Sequence, residues 1–405
     1  MVSLTKAQRY VTVSLAAAAL GAVAESALAQ ANPLCADLPQ PIIYGVGGSA
    51  QRPVLGKFAA KLVGTITVVY AAPGACNAIF YLRDGTKLKG TANYWDPDGT
   101  QKSCDLPVLG VDVTYGFMGN TELGCDGVTS LPANIGKYPG PVETANFIVP
   151  ASGSSESAIS AEAAYFVFGF GGTLGKVDPW DSDNFVWGRD KNSFLTVTLA
   201  AALDIPLNKL NKAIDAKTNE ATVSLVAGAA SPAKAIGVVA GEIAAAYRSS
   251  VKTLAYQHFD QSCGYWPDSE ANKLDKRGVR AGLYFLWSPV SLFVAVDPAT
   301  KTATDPTADK FVQYFTLKEP LPGATSTLGS LELQVRSSLT PQCAMNVWRD
   351  GDAAPLYSYA PPEPCGCYFE ATATGDAPAS CKACADDGAC SGATPKCRFG
   401  YCEAY

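Results

Sequence analysis

Thirteen cysteines, one histidine and a few polar residues at small-residue turns are the groups in this 405-residue chain that could do chemistry. The cysteines are unevenly placed. Cys35, Cys76, Cys104, Cys125 and Cys263 are scattered over a long body, and Cys343 stands at its end. Cys365, Cys367, Cys381, Cys384, Cys390, Cys397 and Cys402 crowd the C-terminal stretch. Cys381-x-x-Cys384 has the spacing of a zinc or redox pair. The start of the chain argues against that chemistry. Lys6 and Arg9 precede an apolar run, Val11 to Val23, and Ala27-Leu28-Ala29 then offers a small-residue cleavage site. This order reads as an export signal over residues 1–29, and an oxidising destination turns thiols into disulfides. An odd cysteine total leaves at least one thiol free or paired with another molecule. Spacing does not give the connectivity, although Cys104 and Cys125 flank one strand region and are placed to staple one loop to another.

The remaining candidates have structural readings. His258 has no cysteine or carboxylate pair nearby and reads as structural. Asp96-Pro97-Asp98-Gly99 carries the acids of a calcium loop but lacks its distal glutamate, so a β-turn is expected. Gly45-Val46-Gly47-Gly48 lacks the third glycine and downstream acid of a dinucleotide fingerprint and reads as a tight turn. No nucleophile elbow, metal-ligand cluster or phosphate loop appears. Glycosidase-type carboxylate pairs are dispersed through a fold and are not legible at this level. Binding without a cofactor, rather than catalysis, is the expectation. The net charge of −6 argues against a nucleic-acid partner, which requires a basic surface.

The elements that would position these groups alternate between strand and helix. With 48% apolar and 17% charged residues, the body can bury real cores. Pro41 to Val46 reads as a buried strand, Gly47-Gly48-Ser49 as a turn able to cap a helix, and Val54 to Val63 as that helix. Thr65 to Tyr70 is a second, β-branched strand. Pro73-Gly74-Ala75-Cys76-Asn77 is a second small-residue turn before a helix ending near Leu82. Such a β-α-β-α unit implies a parallel sheet covered by helices. Ligands bind such sheets beyond the carboxyl ends of the strands, where these turns lie. Arg83 to Asp105 reads as a polar insertion and Val108 to Phe117 as a third strand region. Ala145 to Val149 and Ala235 to Val239 read as strands, and Ile159 to Phe168, Ser193 to Leu203 and Ala308 to Leu317 as helices. Arg280 to Val296 contains Pro289 and reads as two strands. Four prolines between Pro355 and Pro364 mark a linker. The Cys-rich stretch beyond it is too short for a core and needs staples. No apolar run after the signal is long enough to span a bilayer.

Taken in order, several of these stretches resemble type 2 periplasmic solute-binding proteins, most closely the phosphate-binding component of ABC transporters. The resemblance rests on Tyr44-Gly45-Val46-Gly47-Gly48-Ser49, Phe58, and Val68 to Ala75. It continues through Ala164 to Gly169 with Asp178-Pro179-Trp180-Asp181, then Arg189-Asp190-Lys191-Asn192-Ser193 and Ala235 to Val239. It covers roughly residues 41 to 317. It implies an α/β fold of two lobes joined by two crossing strands, with a small disulfide-rich C-terminal module added. Carried over, lobe 1 is residues 38–145 plus 265–345, lobe 2 is 146–264, a Pro-rich linker is 346–364 and the Cys-rich module is 365–405. The crossings fall near 140–150 and 260–280.

The resemblance also implies a site. An anion would be held between the lobes by hydroxyls, by N–H groups at helix N-termini and by one arginine. The matching positions are Ser49, the turn Ala75-Cys76-Asn77, Arg189 and Ser193. Without the resemblance, Arg189 pairs with Asp190 or Asp181, and Asn77 and Ser193 cap their helices. The chain departs from the family pattern at Ala50, at Ala75 in place of a serine, near Phe117 in place of a buried aspartate, and at Phe194-Leu195 in place of Gly-Thr. The expected function is therefore an exported, periplasmic or secreted solute-binding protein. It would take a small, phosphate-like anion for a membrane permease or a sensor. The alternative is a secreted or surface binding protein on the same fold that has lost oxyanion binding.

Overall fold

A computed structural model describes residues 32–210 and 212–403. The export signal expected at 1–29 lies outside the described residues. The chain opens with β1 (Ile42–Gly47), α1 (Arg52–Lys61), β2 (Thr67–Ala71) and α2 (Asn77–Asp84). β-branched and aromatic side chains make the strands, and Pro53 pre-sets the first turn of α1. β1 pairs in parallel with both β2 and β5 (Tyr115–Met118), giving the parallel core that the β-α-β-α pattern predicts. The stretch between them holds β3 (Thr91–Trp95) and β4 (Gln101–Asp105), an antiparallel hairpin that extends the sheet beyond β2. The expected β-turn at its tip is present: Gly99 N–H donates to Asp96 O at 2.8 Å, with Gly99 at φ 83°. The third strand is shorter than expected. Val108 and Leu109 are exposed, Val111 makes a single bridge to Leu88, and continuous strand pairing starts at Tyr115.

β6 (Ile135–Pro150) is the element that joins the two lobes. Its first half pairs with β13 (Trp287–Ala295), and its second half with β10 (Ile236–Ala240) and β11 (Val251–Thr253). The second lobe is built from β7 (Ala158–Ser160), α3 (Ala161–Phe170), α4 (Gly172–Gly175), β8 (Val186–Gly188) and α5 (Phe194–Ala202). It continues with β9 (Ile214–Asp215), α6 (Asn219–Ala227), β10, α7 (Gly241–Ala246), β11 and β12 (Ala255–Gln257). β8, β9 and β10 run parallel, so their following turns face the same cleft as those of β1 and β2. The chain returns through α8 (Arg277–Arg280) into β13, which completes the first sheet beside β5. The 280–296 stretch is thus a turn and one strand rather than two strands. Pro289 is accommodated at a register shift between Pro289 and Ser291.

α9 (Pro306–Phe315) and α10 (Leu328–Val335) cover the first sheet, where Phe58, Phe117, Phe311 and Phe315 form an aromatic core. The following segment forms a small hairpin, β14 (Val347–Trp348) with β15 (Tyr357–Ser358). α11 (Gly366–Thr374) then packs Cys365 and Phe369 against Leu331 and Val335 of α10. A last hairpin, β16 (Lys396–Arg398) with β17 (Tyr401–Glu403), ends the described chain.

Six disulfides form. Cys35–Cys104 and Cys76–Cys125 lie in the body, and Cys343–Cys365 ties body to tail. Cys367–Cys381, Cys384–Cys397 and Cys390–Cys402 lie within the tail, and Cys263 is free and exposed. Cys104 and Cys125 do not staple to each other. Cys104 reaches back to Cys35, ahead of β1, and Cys125 reaches the N-terminus of α2. Cys384, Cys390 and Cys397 lie close enough to suggest a metal, but all three are consumed in disulfides.

Candidate functional site

Two small-residue turns of the first lobe meet the α5 N-terminus of the second. Gly47 must be glycine because a Cβ there would lie 1.8 Å from the Phe117 carbonyl oxygen. Tyr70 Oη donates to Gly48 O at 2.8 Å, and Gly74 N–H to Gly47 O at 3.1 Å, which fixes one turn against the other. Gly74 sits at φ 138°, a backbone that side chains rarely adopt. Its Cα face approaches Asn192 and the Asn77 side chain. The lobes touch here: Cys76 N–H donates to Asn192 O at 3.2 Å.

Arg189 follows β8 and reaches across to the first lobe. Its Nη1 donates to Ser49 Oγ at 3.3 Å, and its Nε lies 3.8 Å from Asp215 Oδ1. The expected partners Asp190 and Asp181 are otherwise engaged. Asp190 accepts from Asn192 N–H at 2.8 Å, and Asp181 pairs with Lys234 at 2.7 Å. Burial lowers the Arg189 pKa, while the charges of Asp190, Asp215 and Glu220 push it back up. The structure therefore brings Ser49, Arg189, Ala75, Cys76 and Asn77 to one junction. Ser193 is buried at the N-cap position of α5, but its hydroxyl makes neither a capping bond nor a bond to Arg189.

The departures from the family pattern resolve differently from one another. Phe117 does not occupy the cleft. Its ring packs on Phe315 in the first lobe's core, 4.8 Å between centroids, and only its carbonyl faces the turn. Phe194 does enter the interface: its ring lies against Gly119, where a Cβ would meet Phe194 Cγ at 2.9 Å.

Beside Phe194 lies a group that the sequence reading missed. Glu143 of β6 and Glu242 of the α7 first turn are both buried and share a hydrogen bond. Gln51 Nε2, from the first lobe, donates to Glu143 Oε2 at 2.7 Å. Burial first, then the field of Glu242, pushes the Glu143 carboxyl well up. Burial raises Glu242 to about 7, opposed by its bond to Glu143 and by Lys276. Both shifts favour the protonated carboxyls, and the two titrate as a pair. A signal existed: each is the lone carboxylate in an apolar run, Val142 to Val149 and Val238 to Ala246.

Two α/β lobes, joined by one long strand and a return, with opposed helix N-termini between them, define the type 2 periplasmic solute-binding fold. One solved structure supports this fold, and two further likenesses are weaker. A solved structure described as a candidate phosphate ABC transporter substrate-binding protein with bound phosphate, from Clostridium perfringens, aligns with a TM-score of 0.50 and 12% identity, over 74% of this chain and 99% of that one. A phosphate transport receptor of ABC type from Vibrio cholerae aligns with a TM-score of 0.43 and 11% identity, over 74% and 99%. A candidate phosphate-binding protein from Planctomyces limnophilus aligns with a TM-score of 0.41 and 11% identity, over 74% and 93%. At these identities the likeness is one of fold. No family model and no curated protein matches the chain. Among the described residues, no helix is long and apolar enough to cross a membrane.

Proposed function

We infer that the protein is an exported solute-binding protein that closes two lobes over a small, phosphate-like anion and presents it to a membrane permease or a sensor. The observation that carries this reading is the Arg189–Ser49 contact across the two lobes at 3.3 Å. It joins a charge, a hydroxyl and two helix N-termini at one point, which is the equipment for desolvating an oxyanion. Lobe closure would bury the ligand. The export signal supports a periplasmic or secreted location, and the acidic net charge speaks against nucleic acid. No catalytic role and no cofactor enter this reading.

A second reading has its own support. The Cys76 N–H is already bonded to Asn192, Ala75 offers no hydroxyl, and Phe194 fills space beside Gly119. A protein with this junction can keep the fold as a secreted binding protein and dispense with the oxyanion. Thermal melting and calorimetry with orthophosphate, sulfate and arsenate separate the two. At 100 times its dissociation constant, a true ligand adds ~2.7 kcal/mol of stability. Arg189→Ala is then expected to cost about 2–5 kcal/mol of binding. No heat and no melting shift with any of the three oxyanions would leave the second reading standing.

A further inference from the structure

We propose that the groove at the mouth of the interlobe cleft, between α1 and the start of α6, binds an amphipathic organic anion through Arg52. This deepens the solute-binding reading and rests on it. The groove measures about 780 Å³ and takes walls from both lobes: α1, β3, the turn at Gly99 and α10 on one side, Thr218 and Glu220 on the other.

Three observations support this assignment. The first is an unsatisfied cation. Arg52 opens α1 and is half-buried, its Nε is buried without a hydrogen-bond partner, and no acidic group among the described residues pairs with it. Only the Nε is cut off from water; the rest of the half-exposed guanidinium stays open toward the groove, where an anion can reach its N–H groups. The neighbouring cations differ. Lys57 is committed to the Arg336 carbonyl, whereas Lys61, about one turn further along α1, lines the groove with no ion-pair partner among the described residues.

The second observation is the opposed charge. Burial is the main cause that lowers the Arg189 pKa, and the field of Arg52 is the smallest contribution to it. Arg189 has Asp215, Asp190 and Glu220 to answer it, and Arg52 has none of these as an ion-pair partner. Asp98 and Glu220 also line the groove, so an anion is held on the Arg52 and Lys61 side, away from these two acids. The third is the apolar wall. Pro53, Trp95 and Leu333 line the groove beside the cations, with Trp95 Nε1 packed against Gly56. An inorganic oxyanion makes no use of such a wall. A phosphate or carboxylate head on an apolar body uses both.

The experiment titrates the full chain by calorimetry with phenyl phosphate, benzoate and orthophosphate as probes. The proposal expects phenyl phosphate or benzoate to bind, with affinity falling about tenfold or more in Arg52→Gln. Lys61→Gln, at an exposed position where folding is not at issue, should weaken it less. Arg189→Ala should leave a phenyl-group contribution measurable as the difference between phenyl phosphate and orthophosphate. Failure of both organic probes to bind overturns the groove assignment. So does binding that survives Arg52→Gln and Lys61→Gln together but is abolished by Arg189→Ala. In that last case the deep site holds the ligand and the solute-binding reading stands. Orthophosphate binding with no gain from the phenyl group has the same meaning. Silence from all three probes overturns the groove assignment, and silence from sulfate and arsenate as well removes the oxyanion-binding reading.

Discussion

The Glu143–Glu242 pair sets a pH dependence whose sign follows from burial. Both carboxyls have folded pKa values above their ordinary value of 4.5, and Glu242 lies at about 7. A raised acid is favoured protonated in the fold. Its contribution is therefore intact below the unfolded value and is lost as pH rises from there through the folded one. The groups facing the pair are Gln51, Phe194, Lys276 and Glu220. Of these, Gln51 and Lys276 oppose the loss, Gln51 by its hydrogen bond to charged Glu143 and Lys276 by favouring the charged form of Glu242. The melting temperature is expected to fall as pH rises from about 4.5 toward and beyond about 7. Glu143→Gln combined with Glu242→Gln should flatten that slope, because glutamine at 143 keeps an acceptor for Gln51. A slope unchanged in the double variant would place the titrating group elsewhere. The residues at this scale were unequally legible. Ser49 and Arg189 were marked by their match to the family's strand-end turns, and the fold brings the two side chains into contact. The acid pair could not be matched, since its members are 99 positions apart in numbering (242 minus 143) and meet only when β6 and α7 pack.

At the scale of elements, the segment after the body works as a strap more than a tether. Asp352 accepts from Thr121 N–H at 3.1 Å, Thr121 Oγ1 at 2.7 Å and Ser288 Oγ at 2.5 Å. It thereby caps the short turn after β5. Arg349 is fully buried between Phe285 and Trp287, with its charge 4.5 and 4.3 Å from the two ring centroids. Burial lowers its pKa to about 10, and Asp352 pulls it back up. Asp352→Ala leaves an N–H and two hydroxyls without their acceptor, and each orphan costs about 1–3 kcal/mol where water cannot replace it. Partial solvent access at Asp352 puts the expected loss at the lower end, about 2 kcal/mol in all, read by urea unfolding. A loss below about 0.5 kcal/mol would mean that the strap is not anchored here. The strands and helices themselves followed from period and turn chemistry. α1, α3, α5 and α9 fall within a few residues of the apolar patterns that predict them. The strap did not, because four prolines read as an extended spacer and nothing local marks Arg349 or Asp352 as buried. Only the rings of Phe285 and Trp287, some sixty residues earlier, make that burial favourable.

At the scale of the molecule, two kinds of stabilisation coexist, and reduction should separate them. The body rests on continuous apolar cores. Its disulfides Cys35–Cys104 and Cys76–Cys125 are buried within them, each cysteine at most 3% exposed. The tail has almost no core of its own. Cys367–Cys381, Cys384–Cys397 and Cys390–Cys402 close loops spanning 14, 13 and 12 residues, and all of these cysteines except Cys402 are partly exposed. A loop of that size stabilises by about 3 kcal/mol on the chain-entropy account. The three together therefore supply what a fragment this small cannot obtain from burial. Its attachment to the body is of a different kind. Phe369 and Cys365 pack on α10, and Glu370 takes hydrogen bonds from Arg280 at 2.5 Å and Arg277 at 3.1 Å. With a thiol reductant and no denaturant, the tail disulfides should open first and the stretch beyond α11 should become protease-sensitive. The far-ultraviolet circular dichroism of the body should persist meanwhile. Timed alkylation and mass mapping check the order, and before any reductant a single thiol, Cys263, should react. Simultaneous loss of Cys76–Cys125 and the tail bridges would contradict this division. It would mean that body and tail unfold as one unit, held together by the α10–α11 contact.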